Sequence, residues 1–233
     1  DAPLYGGPGM IAAGDAQVLA KEGVGIVDEL LIDRLDVPFD RTPRGALDLT
    51  REGGHSVARI LHCADFTGKS IEEGLWRALG THPKITIMSG TTAIEILTTS
   101  HHSTRAEDTY TPTRCFGAYV LQRSPHHILT VLARETVLAT GGLGQVYLYT
   151  TNSPGARGDG YAMAYRAGAR LANMEYIQFH PTSLYATGAE NFLITEAIRG
   201  EGGILRDHTG RPFADDYHES GSLAPRDVVA RAI

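Results

Sequence analysis

Apolar side chains recur along this chain with two different periods. Residues 15–32, DAQVLAKEGVGIVDELLI, place them at helical spacing behind Asp15, a residue suited to capping, which predicts a first helix despite Gly23 and Gly25. SVARILHCA (56–64) and SIEEGLWRAL (70–79) predict two more, with Ser56 and Ser70 where N-caps belong and a capping box between Ser70 and Glu73. The period then shortens to two. KITIM (84–88), AIEILT (93–98) and CFGAYVLQ (115–122) predict strands, and the polar SHHSTRAEDTYTPTR between the last two predicts an exposed hairpin loop. HILTVLARETVLAT (127–140) reads as further strand running into the glycine turn GGLG, and GDGYAMAYRAGARLA (158–172) returns to helical spacing. Beyond Asn173 the alternation breaks into short pieces, which predicts a domain boundary between residues 1–172 and 173–233.

At that boundary lies ANMEYIQFHPTSLY (172–185). On a strand, Gln178 and His180 share one face, and Pro181 disfavours a helical conformation at His180. Such a face meets either water or a polar small molecule. Glycine is abundant, 27 of 233 residues, against an ordinary share of about 7%. A net charge of -6 without any basic run argues against nucleic acid as a partner. Cys63 and Cys115 are too few and too far apart for a metal knuckle or a disulfide framework, so a reducing, cytoplasmic setting is expected. His101, His102, His126 and His127 read as loop residues, and no metal site is expected. No apolar run approaches the ~18 residues of a membrane span, and DAPLYGGPGM lacks the basic and apolar order of a signal peptide.

The candidate chemistry sits on glycine turns. TVLATGGLG (136–144) is an apolar run ending in Gly141 and Gly142, where backbone can approach a ligand closely. Asp159, between two glycines at a helix start, is either an N-cap or a contact to a cofactor's phosphates or sugar hydroxyls. Glu52 and His55 flank Gly53 and Gly54; Thr195, Glu196 and Arg199 precede another glycine turn; Arg226 follows Pro225 at the start of the last helix. Singly, these residues suit caps, turns or surface ion pairs. Together they suit a dicarboxylate, because arginine grips a carboxylate with two parallel hydrogen bonds.

ATGGLGQVYLYT, GDGYAMAYRAGARLANMEYIQFHPTSLY, FLITEAIRGEGGIL and LAPRDVVARAI follow one another as in the succinate dehydrogenase/fumarate reductase flavoproteins, and the chain resembles that family over nearly its whole length. TREGGHS and RILHCADFTGKSIE are similar to its aspartate oxidase branch; the respiratory members usually carry an aromatic residue and GGQ or similar in place of Glu52 to His55. The resemblance implies an α/β fold, namely part of a Rossmann-like FAD-binding domain followed by the first half of an inserted α+β capping domain. It implies FAD as cofactor and FAD-dependent oxidation of L-aspartate to iminoaspartate on the route to quinolinate and NAD, with quinolinate synthase as a further partner. Arg226 matches the proton-transferring arginine, and His180 and Thr195 match holders of a substrate carboxylate, with Gln178 and His55 beside them. Glu52 matches the partner of the substrate ammonium. Thr92, Ala93, Gly141, Gly142 and Asp159 match cofactor contacts.

Other readings stay open. One is a soluble fumarate reductase or succinate dehydrogenase subunit acting on fumarate or succinate; another is a non-catalytic remnant serving as a binding module. The family's opening strand and G-x-G-x-x-G are not matched by YGGPGMIAAG, and the sequence stops at Ile233 within an expected helix, so an interior segment of a longer enzyme is expected.

Overall fold

A computed structural model describes residues 13–52, 55–186 and 188–233. The opening glycines and the Gly53-Gly54 pair singled out above lie outside the described residues. The chain divides into two compact units: one comprises the residues up to Ile85 together with Tyr176–Ile233, the other Thr86–Glu175.

In the first unit, α1 (Ala13–Ile26) runs on into a π-helical stretch, Val27–Arg34. Asp15 lies within the described part of this helix. Leu31, Ile32 and Leu35 pack on a small core of Val37, Phe39 and Cys63, which Leu47, Leu61 and Ile71 close from other sides. The helix expected over 56–64 does not form. Instead β1 (Leu49–Thr50) pairs antiparallel with β2 (Ile60–Leu61), Leu49 opposite Leu61 and Thr50 opposite Ile60. Further bonds from Arg59 N–H to Thr50 O and from Asp40 N–H to His62 O take the backbone groups that a helix would have used. Next comes α2 (Thr67–Gly80), which starts three residues ahead of Ser70. The Ser70 N–H donates to Phe66 O, so Ser70 sits within the first turn and the expected capping box is absent. Gly74 is buried against Val37; a Cβ there would meet Val37 Cγ2 at 3.3 Å.

The second unit is built on an antiparallel meander. Its strands are β3 (Thr91–Thr98), β4 (Cys115–Gln122) and β5 (His127–Leu132), with the short α3 (Thr99–His102) in the loop after β3. Residues 84–88 form no strand, because no neighbouring segment pairs with them. The run expected to extend to Thr140 leaves the sheet after Leu132, where Ala133 N–H makes the closing bond to Phe116 O. α4 (Asp159–Arg166) is also shorter than its pattern. Gly168 takes φ +88°, and Ala169 N–H turns back to Ala164 O, a glycine-terminated helix end.

The chain then returns to the first unit. Gln178 and His180 do not lie on a strand; among the described residues the ladder begins at β6 (Ser183–Ala186), which pairs antiparallel with β7 (Ala189–Leu193). Two short helices follow, α5 (Ala197–Gly200) and, at the end, α6 (Arg226–Ala232). Among the described residues no helix is long and apolar enough to cross a membrane.

Candidate functional site

Pro225 occupies the N-cap of α6 and Arg226 its first position, an arrangement that suits proline's fixed φ and missing N–H. The Arg226 guanidinium uses each of its nitrogens on a different acceptor. Nε donates to the Glu196 carboxylate, Nη1 to Gln178 Oε1 at 3.2 Å, and Nη2 to Glu52 Oε2 at 3.4 Å. Glu52 comes from the turn after β1, Gln178 from the segment before β6, and Glu196 from the residue preceding α5. Arg226 and Glu52 are about one-third exposed, whereas Glu196 is 3% exposed.

Behind Glu196 stands Arg199, also 3% exposed, with Nη2 3.2 Å from Glu196 Oε1. That pair is out of line for a hydrogen bond, which leaves Glu196 Oε1 and Arg199 Nε and Nη2 without one; Arg199 Nη1 donates to Ser222 O at 2.8 Å. The ion pair of Glu196 and Arg199 is therefore buried rather than on the surface. One carboxylate is held between two guanidinium groups. Loss of either partner of such a buried pair costs about 3–5 kcal/mol, because the other charge stays desolvated.

His180 is half-buried, and its Nδ1 lies 3.3 Å from Thr182 N and 3.1 Å from Thr182 O. Thr182 is tied to Ile194 by two hydrogen bonds, which sets His180 near the stretch carrying Thr195 and Glu196. Burial pushes the His180 imidazole below its ordinary value of 6.5; the charges of Arg226 and Arg199 add to this, against the Thr182 bond and Glu196. The neutral ring, able to hydrogen-bond but carrying no charge, is thus favoured. Thr195 is exposed, its Oγ1 accepting the Ala197 N–H at 3.3 Å, and with Glu52 it lines a cleft of about 550 Å³. His55 is turned to the backbone of Glu52. Gly200 completes the local fit: a Cβ there would stand 2.5 Å from Arg51 O, so only glycine lets the Glu52 segment lie on α5.

The cofactor candidates lie in the second unit. Thr92 and Ala93 are on β3, opposite Leu121 and Val120. Gly141 adopts φ +72°, and nothing stands within 4 Å of a Cβ built on Gly141 or Gly142, so this turn presents bare backbone. A Cβ on Gly160 would overlap Thr140 Oγ1 at 2.0 Å, so the missing side chain seats the turn against the start of α4. Gly158, with φ +81°, is the N-cap and makes no side-chain bond. Asp159 is therefore the first helical residue, not the cap; its Oδ2 is 3.0 Å from Arg157 Nη2. An uncapped helix start, open glycine backbone and a carboxylate fit the hydroxyl and phosphate groups of FAD.

The pattern of the FAD binding domain family matches residues 6–233. The chain belongs to that family. Its cofactor is FAD, and the α/β fold is that of the FAD-binding part of the fumarate reductase flavoproteins. An Escherichia coli quinol fumarate reductase mutant superposes with a TM-score of 0.77 at 29% identity, over 88% of this chain and 35% of that one. L-aspartate oxidase 1 of Ralstonia nicotianae is 45% identical over 100% of this chain and 43% of its own length. The L-aspartate oxidase of Vibrio cholerae is 47% identical over 84% of this chain and 37% of its own. The chain thus spans about two fifths of these curated relatives.

Of the residues expected at a substrate site, the structure joins Glu52, Gln178 and Arg226 directly. His180 feels the Arg226 charge, Thr195 shares a cleft wall with Glu52, and His55 contacts Glu52 alone among them. Glu196 and Arg199 were underrated by sequence reasoning. The available signal was Glu-Ala-Ile-Arg, an acid and a base at i and i+3 around apolar residues, closed by glycines that allow tight burial.

Proposed function

We propose that this chain is part of an L-aspartate oxidase, which oxidises L-aspartate to iminoaspartate in NAD biosynthesis. Residues 1–172 would belong to its FAD-binding domain and 173–233 to its capping domain. The observation that carries the reading is Glu52 Oε2 lying 3.4 Å from Arg226, a carboxylate inside an anion grip. A site for fumarate or succinate alone gains nothing from that negative charge. An α-ammonium group does: it would replace Arg226 as the partner of Glu52 and free the guanidinium for a substrate carboxylate. His180 and Thr195 would hydrogen-bond the carboxylates, and Thr92, Ala93, Gly141, Gly142 and Asp159 would hold FAD. The flavin, when bound, supplies hydride acceptance. The protein's share is orientation and proton removal.

Arg226 is an unusual proton carrier, since a guanidinium titrates above ~12. Its Nε bond to the buried Glu196, with Arg199 beyond, offers the relay that such a role requires. The product is a reactive imine, which supports quinolinate synthase as the consuming partner and the cytoplasm as the location. The runner-up is a soluble fumarate reductase, favoured by the structural likeness to that enzyme. Glu52→Gln in the complete protein separates the two. A hydrogen bond to a charged group is worth about 1.5–3 kcal/mol, so kcat/KM for L-aspartate should fall at least ~10-fold relative to that for fumarate. Equal losses for both substrates would make Glu52 structural and return the reading to fumarate reductase.

A further inference from the structure

The imidazole of His55 is committed within its own turn. Its Nδ1 accepts the N–H of Glu52 at 3.4 Å, and the backbone N–H of His55 donates to Glu52 O at 3.2 Å. Both backbone polar groups of Glu52 therefore close on one residue. On the preceding side, Arg51 O lies against Gly200 with no room for a Cβ. A backbone held at both flanks aims the Glu52 side chain, whose Oε2 reaches Arg226. Acceptance at Nδ1 requires a ring with its lone pair free there and its proton on Nε2. His55 thus spends its acceptor on the peptide that carries Glu52.

We propose that His55 is a positioning residue that sets the site's preference for substrates bearing an ammonium group, acting by fixing Glu52 rather than by touching substrate. This rests on the reading of Glu52 as the ammonium partner. It replaces the substrate contact that the family resemblance implied for His55. A side chain that grips a carboxylate would serve aspartate and fumarate alike. One that aims Glu52 serves aspartate alone.

The test is steady-state kinetics of the complete flavoprotein with L-aspartate and with fumarate. In His55→Ala, the ratio of kcat/KM for aspartate to that for fumarate should fall roughly threefold to tenfold, the worth of one hydrogen bond, mainly through KM for aspartate. His55→Asn, whose amide oxygen can accept the Glu52 N–H, should recover most of the ratio. On a Glu52→Gln background, His55→Ala should add nothing, since both changes act through one group. Should His55→Ala fail to fold, His55→Phe keeps the ring's bulk without Nδ1 and reads the same ratio. An equal fall for both substrates, or a full additional loss on the Glu52→Gln background, overturns the proposal. If Glu52→Gln itself leaves the ratio unchanged, the ammonium reading fails and takes the proposal with it; if Glu52→Gln shifts the ratio and His55→Ala does not, only the proposal falls.

Discussion

Arg226 meets three acceptors with three nitrogens, and no other cationic side chain can copy that fork. Arg226→Lys keeps the charge but offers a compact ammonium on a flexible stem. Contact with Gln178 and Glu52 can survive in part; the Nε bond to Glu196 cannot be kept along with both. Loss of a group that acts in the transition state lowers kcat and kcat/KM together, whereas loss of plain binding raises KM alone. We expect kcat to fall at least ~100-fold, the usual worth of a positioned acid or base. A variant with near-normal kcat and raised KM would make Arg226 a carboxylate clamp only. The residues that gather round it differ in how far the sequence announced them. Glu52, Gln178 and Arg226 stand beside glycines or proline in distinctive motifs, so their types and settings are legible. The burial of Glu196 and Arg199 is not, because an acid and a base three apart look the same on a solvated helix face. Only the packing of α5 beside Ser222 and Arg226 decides between the two.

Among elements, α2, β3 and β4 follow from periodicity, while three expected elements do not form. Residues 56–64 carry enough apolar side chains for a helix, yet Ile60 and Leu61 find partners in Thr50 and Leu49. Residues 84–88 and 176–180 alternate like strands but join no β-ladder among the described residues, and pairing in a ladder is what makes a strand. Local pattern states what a segment can do; a distant segment settles what it does. Gly200 shows the same dependence with a measurable sign. By helix propensity alone, Gly→Ala in a helix stabilises by about 1 kcal/mol. At Gly200 the new methyl would stand 2.5 Å from the Arg51 carbonyl, and overpacking of that kind costs about 1–3 kcal/mol. The clash should win, so Gly200→Ala should lower the urea midpoint of the chain. A raised midpoint would mean that the Arg51 segment moves aside without cost.

At the scale of the whole molecule, the hydrophobic pattern breaks near Asn173, and the compact units divide at Glu175 and Tyr176. A second division, at Ile85 and Thr86, falls where the period shortens from helical to strand spacing, a change that reads as a new element rather than as a boundary. The first unit is therefore made from two stretches of chain with the second unit threaded between them. Glu52 belongs to the early stretch, and Gln178, Glu196 and Arg226 to the late one.

That interleaving has a consequence in time. The contact between Glu52 and Arg226 closes a loop of 174 residues, at an entropic cost of roughly 4–5 kcal/mol by the logarithmic loop law. The β4–β5 hairpin closes across a few residues and meets almost no such barrier. If the second unit, Thr86–Glu175, forms first around its meander, it takes up roughly half of the long loop, and each halving eases closure by about 0.6 kcal/mol. The site should accordingly be the last part of the chain to come together. In stopped-flow refolding and unfolding, Gln178→Ala should speed unfolding and leave the folding rate nearly unchanged, whereas Leu97→Ala in the meander should slow folding. The opposite pattern would put the site in the folding nucleus. On a ribosome the same order means that Glu52 waits, unpaired, until more than a hundred further residues have been made.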